Sequence, residues 1–267
     1  MNPQTLLAHY DNALCWPISM DPEANYSVPL AYQQALAVRS LRQARGEQPL
    51  GYKIGFTNRK IWDLYKVYAP MWGSVWNTTL KHGQNNEATL SLSNICQPRI
   101  EPEIVFGFRA PPPPHASLDQ LYASLEWLAP GFEIVQSHSP DWKFTAAETV
   151  LDSGLHARLA VGEKIKISDI SSGAKDLVEK LAASTANLYK NNQWVEAGVG
   201  ANVLDSPLQA LDYFIKELRA CPGAADIKAG DVVTTGTWTD AWPLLAGESW
   251  QVKFSFQDLQ FKLNLVD

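Results

Sequence analysis

Cysteine is scarce in this chain. Its three residues, Cys15, Cys96 and Cys221, are odd in number and far apart. They form neither a disulfide framework nor a metal-ligand spacing. The expectation is reduced, mostly buried thiols in a cytoplasmic protein. Charge is sparse as well. Charged residues make up 19%, the net charge is -6 and the pI is near 5.4, with no run of Lys or Arg. This balance argues against a nucleic-acid or anionic-membrane partner, while a few local cations suffice to meet a small anionic substrate. No stretch reaches the length of a membrane span. The first residues lack a basic segment followed by an apolar run, so a soluble, unexported protein is expected. Internal repeats and low-complexity tracts are also missing.

Apolar residues make up 46% of 267 positions, enough for a sizeable core in one large domain or a main domain with a smaller N-terminal part. The ten tryptophans are read first as core residues. Ser27 is placed to cap a helix that ends before Gly46, and 50–56 alternates like a strand. Residues 99–108 and 131–137 read as strands, separated by the rigid run Pro111–Pro114 and a helix opened by Ser117 with Gln120 in capping-box position. Helices are expected over 173–189 and from Ser206-Pro207 to about Ala220, then a strand over 232–235 and a C-terminal hairpin. The chain is therefore of mixed, β-rich α/β class. A helical N-terminal region, 1–84, precedes a β-rich domain, 85–267.

Three carboxylates stand out. On a strand, Glu101 and Glu103 share one face, and Ile100, Pro102, Ile104 and Phe106 share the other. Like charges side by side on an apolar strand need compensation. Glu133 lies in Gly-Phe-Glu-Ile-Val135, where an unpaired carboxylate is costly. Three acids without Cys or His at ligand spacing suit a hard cation, Mg²⁺ or Mn²⁺. The pattern equally suits solvent-facing edge charges, with Glu133 paired to Arg99 or Arg158. In Gly51-Tyr-Lys-Ile-Gly55, two glycines on the face of Lys53 suggest room for a ligand beside the ammonium group. An exposed edge lysine would leave them unexplained. Lys53 is expected to act on a substrate and not on stability.

Taken in order, Gly-Tyr-Lys-Ile-Gly-Phe-Thr57, Ala-Pro-Met-Trp-Gly73, Arg-Ile-Glu-Pro-Glu-Ile-Val-Phe106, Phe-Glu-Ile-Val135, Ser-Pro-Leu-Gln-Ala-Leu211 and Ala-Gly-Asp-Val-Val-Thr-Thr-Gly-Thr237 resemble the fumarylacetoacetate hydrolase superfamily. The closer likeness is to its branch of 2-keto-4-pentenoate hydratases and 4-oxalocrotonate decarboxylases. The resemblance implies a β roll with surrounding helices, usually in homo-oligomers. It implies Glu101, Glu103 and Glu133 as ligands of Mg²⁺ or Mn²⁺, Lys53 as active-site lysine, and Thr235 facing the substrate. The implied reaction is hydration of a 2-hydroxy-2,4-dienoate, a small 2-oxo acid substrate, through a metal-stabilised enolate. A 4-oxalocrotonate-type decarboxylase, an acylpyruvate C–C hydrolase and a non-catalytic partner subunit are the alternatives.

One departure is visible. Where many hydratases of the branch carry Asp-Asn-Ala-Ser-Ser, this chain has Asp152-Ser-Gly-Leu-His156. If this stretch is a helical turn, Asp152 and His156 share a face. The carboxylate would then fix the imidazole tautomer for acid–base work, and the bulk of Leu155 and His156 would narrow the pocket against long diacids. A buried, hydrogen-bonded histidine is the other reading.

Overall fold

The computed structural model describes residues 2–17 and 27–267. The Ser27 hydroxyl accepts from the Leu30 N–H and opens the helix Val28–Ala44, with Pro29 in its first turn. Ser117 and Gln120 form the expected reciprocal capping box on the helix Leu118–Ser124. Pro207 starts the helix Pro207–Ala220.

Nine strands form one sheet. Its order is β2 (Met71–Trp76), β1 (Pro49–Gly55), β11 (Val232–Thr234), β5 (Arg99–Phe108), β6 (Leu125–Val135), β7 (His156–Val161) and β3 (Leu80–His82). Two short strands join it, β12 (Trp242–Pro243) on β5 and β8 (Ile165–Lys166) on β6. A second, five-stranded sheet runs β10 (Gln193–Val199), β9 (Thr185–Lys190), β13 (Ser249–Phe254), β14 (Gln260–Val266) and β4 (Glu87–Ser91). The fold is mixed α/β, with the larger sheet curled as a half-barrel. The C-terminal hairpin is present as antiparallel β13 and β14.

Two expectations shift. The helix expected over 173–189 ends at Ala183, because from Ser184 the burial period changes to two. Ala186 and Leu188 point inward while their neighbours do not, and β9 follows. The division near residue 84 falls between strands of different sheets. β1, β2 and β3, which precede it, belong to the nine-stranded sheet together with β5, β6, β7 and β11, which follow it.

Alternation along the curled sheet places the site. Tyr52, Ile54, Ile100, Ile104, Phe106 and Phe132 face outward into the main core. The inner face carries a separate apolar cluster of Val75, Val105, Ala129, Leu159, Val161 and Val232. On β5 the same inner face continues from Val105 to Glu103 and Glu101, and on β6 from Ala129 through Gly131 to Glu133. The inside of the half-barrel is thus packed with aliphatic side chains along one stretch and carries carboxylates along the next.

Candidate metal centre and active site

Glu101 pairs directly with Glu133 across the β5–β6 ladder, and Glu103 follows on the same face. One oxygen from each of the three carboxylates falls within 4.8 Å of the others. Glu103 and Glu133 are fully buried and Glu101 is half-buried. These are not solvent-facing edge charges, and Glu133 is partnered by lysine and histidine, not by Arg99 or Arg158.

Each buried acid is anchored through one oxygen only. Glu103 Oε2 accepts the Thr234 hydroxyl and, at 2.6 Å, the Gly236 N–H. Glu133 Oε1 lies 2.9 Å from His156 Nδ1. The other oxygens, Glu103 Oε1 and Glu133 Oε2, are buried with no hydrogen-bond partner. Lys53 Nζ lies 3.2 Å from Glu133 Oε2, an ion pair without hydrogen-bond alignment, and donates to the Gly154 carbonyl at 2.8 Å. Against three ionised carboxylates, the single ammonium leaves two net negative charges. A divalent cation neutralises that remainder and gives both orphaned oxygens a partner, so the donor set fits Mg²⁺ or Mn²⁺.

Without a cation, burial and mutual repulsion favour the protonated acids. Glu101 and Glu133 are pushed up to about 7, and Glu103 well above the usual carboxylate range, with burial the largest cause in each case. For Lys53, burial works to lower the pKa, but Glu133, Glu101 and Glu103 outweigh it and hold it above its ordinary value. Lys53 is therefore an ammonium group at working pH. It is 2% exposed and ion-paired, so its removal would leave the buried acids without a cation.

The two glycines beside Lys53 differ in purpose. A Cβ on Gly55 would come within 3.3 Å of Lys53 Nζ, so its absence does open space at the amine. A Cβ on Gly51 would meet the Val232 carbonyl oxygen at 1.8 Å, so that glycine serves the close approach of β1 and β11.

The helical turn expected over 152–156 does not form. Ser153, Gly154 and Leu155 have φ of 56°, 68° and 66°, a left-handed turn that sends the flanking side chains apart. The Asp152 carboxylate accepts the His138 backbone N–H at 2.7 Å and lies 2.6 Å from His138 Nδ1. His156 enters β7 and points at Glu133, with its Nε2 2.9 Å from the Thr79 hydroxyl. Burial, then Lys53, Arg42 and Arg158, hold His156 neutral. A tautomer with Nδ1–H donating to Glu133 and Nε2 accepting from Thr79 satisfies both contacts. His156 thus holds Glu133 from behind and does not line the substrate cavity.

That cavity has a volume of about 170 Å³ and opens beside Lys53 and Glu101. Gly154, Leu155 and Thr237 line it, and neither Asp152 nor Thr235 does. The Thr235 hydroxyl instead donates to the Ile104 carbonyl at 2.8 Å. The threonine that lines the cavity is therefore Thr237 and not the expected Thr235. Alternation in β11 puts Val232 and Thr234 on the inner face, and Thr237 reaches the cavity from the following loop. Thr79 and His138 carried no local signal, because both act on residues distant in sequence.

No family model matches the chain. Two relatives align over most of its length. The 2-hydroxyhexa-2,4-dienoate hydratase of Comamonas testosteroni is 29% identical over 229 residues, covering 85% of this chain and 83% of that protein. The 2-hydroxypent-2,4-dienoate hydratase of Pseudomonas putida is 28% identical over 193 residues, 72% of this chain and 82% of its own length. Among solved structures, 4-oxalocrotonate decarboxylase from Pseudomonas putida G7, complexed with magnesium and adipate, superposes with a TM-score of 0.87. It is 21% identical, with 99% of this chain and 95% of that chain covered. With its fold shared and its relatives of one kind, the chain is similar to the 2-hydroxy-2,4-dienoate hydratases and 4-oxalocrotonate decarboxylases.

Proposed function

We propose that this protein is a metal-dependent hydro-lyase that adds water to a 2-hydroxy-2,4-dienoate. The observation that carries this reading is the pair of buried, unpartnered carboxylate oxygens beside an ammonium group, at the end of a small cavity. A divalent cation held by Glu101, Glu103 and Glu133 would supply Lewis-acid polarisation of the carboxylate and 2-oxo oxygens of a pyruvoyl group.

The protein residues divide the remaining work. Thr234, Gly236 and His156 fix the acids in place. Lys53, held charged, places a positive charge beside the oxygen on which negative charge develops. Among residues lining the cavity, only Lys53, Glu101 and Tyr65 titrate. We assign Glu101, the one half-buried acid, to take the proton of the attacking water, since no histidine or second acid reaches the cavity. In net terms the dienol first ketonises, its enol proton being replaced by one on C5. The water oxygen then joins C4 while a hydrogen joins C3, so one water is added and no proton is gained or lost. Thr237 and Asn58 offer hydrogen bonds to the water.

The reading extends to a cytoplasmic homo-oligomer. Its support is three free cysteines for the compartment and the family resemblance for the oligomer. No helix among the described residues is long and apolar enough to cross a membrane.

The test follows loss of 2-hydroxypenta-2,4-dienoate absorbance with Mg²⁺, with Mn²⁺ and with chelator, alongside calorimetric metal titration. Metal-dependent turnover and a Glu103→Gln variant that binds Mn²⁺ at least about 10²-fold more weakly are expected, beyond the 10–100-fold typical of losing an outer partner. Equal metal binding by wild type and variant would remove Glu103 from the site, and metal-independent turnover would remove the mechanism.

A further inference from the structure

Beyond the metal centre, the cavity changes character. Only Lys53 and Glu101 carry charge among its lining residues, and both belong to the metal end. The rest is dominated by Phe56, Tyr65, Met71, Trp142, Phe144 and Leu155. The aromatic rings are continuous. Phe56 meets Tyr65 edge-on at 5.0 Å, Tyr65 stacks on Phe144 at 5.8 Å, and Phe144 leans on Trp142 at 6.0 Å. They come from the end of β1, a short helix at Trp62–Tyr65 and the loop after β6, so tertiary structure assembles the wall.

A second observation is independent of composition. Three wall residues sit in left-handed backbone, with φ of 58° at Phe56, 60° at Trp142 and 66° at Leu155. Bulky side chains rarely adopt that region, and such strain collects where a ligand is gripped. Of the nearby cations, Arg59 and Arg99 are engaged elsewhere, and the exposed Lys60, Lys66 and Lys143 do not line the cavity. Arg59 pairs with Asp205 at 2.6 Å, Lys143 lies 3.8 Å from Asp141, and the Arg99 guanidinium rests on the Trp142 ring at 4.3 Å. None of the three lines the cavity.

From this, and resting on the hydratase reading of the same site, we infer that the enzyme selects dienoates whose far end is a short uncharged alkyl group and rejects those ending in a second carboxylate. A methyl or ethyl tail would exchange water for aromatic faces, whereas a distal carboxylate would lose its hydration without gaining a cation. The volume of about 170 Å³ is below the roughly 300–1,000 Å³ of drug-sized ligand sites, in keeping with a small monoacid.

The experiment compares kcat/KM for 2-hydroxyhepta-2,4-dienoate and its diacid counterpart, 2-hydroxyhepta-2,4-diene-1,7-dioate, on the Mg²⁺-loaded protein. In parallel, binding of the unreactive pair 2-oxoheptanoate and 2-oxoheptanedioate is measured by calorimetry. The alkyl member is expected to lead by at least about tenfold in both, within the range that hydrophobic pockets discriminate. In Phe144→Arg, which places a cation on the half-buried wall, the ratio should move toward the diacid by a similar factor. Hydration that favours the diacid, or diacid turnover with release of CO₂, would overturn the inference while leaving the metal chemistry standing. Alkyl preference in binding without hydration of either dienoate would support the inference and overturn the hydratase reading.

Discussion

Glu133 holds two unlike neighbours, a neutral imidazole on one oxygen and an ammonium group on the other. The imidazole is a positioning group, so changing it should loosen the metal and not alter substrate choice. His156→Gln is expected to weaken Mn²⁺ binding about 10–100-fold, as loss of an outer-sphere partner typically does. The kcat/KM ratio between a monoacid and a diacid at saturating metal should stay put. A changed ratio would return His156 to the pocket wall. Lys53 has the opposite profile. Lys53→Met should lower turnover by about 10²-fold or more. In chelator-treated protein it should also cost on the order of 1–3 kcal/mol. That is less than the roughly 3–5 kcal/mol for breaking a buried pair, because the acids can take up protons. Denaturant melts with and without Mg²⁺ read the second effect, and full turnover in the variant would exclude Lys53 from the chemistry. Charges placed on apolar strands made Lys53 and the three acids candidates, edge charges being an equal reading of the acids, and the ordered motifs tipped the balance. The role of His156 was not, because Glu133 is its neighbour only through strand pairing, and a bulge between Ile134 and Val135 sets the pairing there.

The turn between the helix Ala146–Leu151 and β7 links two parts of the site. At its start Asp152 is clamped to His138, and in its middle the Gly154 carbonyl receives Lys53. The turn rests on β2 with no room to spare. A Cβ on Gly73 would lie 1.9 Å from the Ser153 carbonyl oxygen. Gly73→Ala should therefore displace the turn, costing about 1–3 kcal/mol as overpacking does, and lower kcat with it through the lost seat of Lys53. Thermal melts and kinetics on one preparation check this. A stable variant with normal kcat would show that the turn does not position the lysine. The sequence offered Asp152 and His156 at helical spacing, and the left-handed φ at Ser153, Gly154 and Leu155 defeated that reading. Spacing rules hold only while the backbone stays helical, and a Ser-Gly pair gives the chain a way out.

At the scale of the whole molecule, the curled sheet forces like charges into its interior, and stability becomes linked to pH. Glu101 and Glu133 have folded pKa values raised to about 7, against 4.5 for the free groups. Raised acids stabilise the fold fully below about 4.5, and that contribution is lost as pH rises through about 7. Each tenfold difference in proton affinity between the folded and unfolded chain is worth about 1.4 kcal/mol, so the metal-free protein should lose a few kcal/mol between about pH 5 and 8. Protein saturated with Mg²⁺ should lose much less, since the cation replaces the protons. Tm measured across pH with and without chelator tests this, and parallel curves would mean that the three acids do not share a metal.

The sequence by itself determined the elements and their faces. Period-two alternation put Glu101 and Glu103 on the side opposite Ile100 and Ile104, Ser27 and Ser117 set helix starts, and the ordered motifs carried the family resemblance. These signals are local, since neighbouring residues suffice to fix which way a side chain points. Tertiary structure decided what those faces meet. It alone brought β6 beside β5 so that Glu133 opposes Glu101, gave Glu103 to Thr234 and not Thr235, joined Asp152 to His138, and gathered Phe56, Tyr65, Trp142 and Phe144 into one wall. Such contacts depend on register and curl, which are settled by the packing of the whole sheet and leave no mark at any single position.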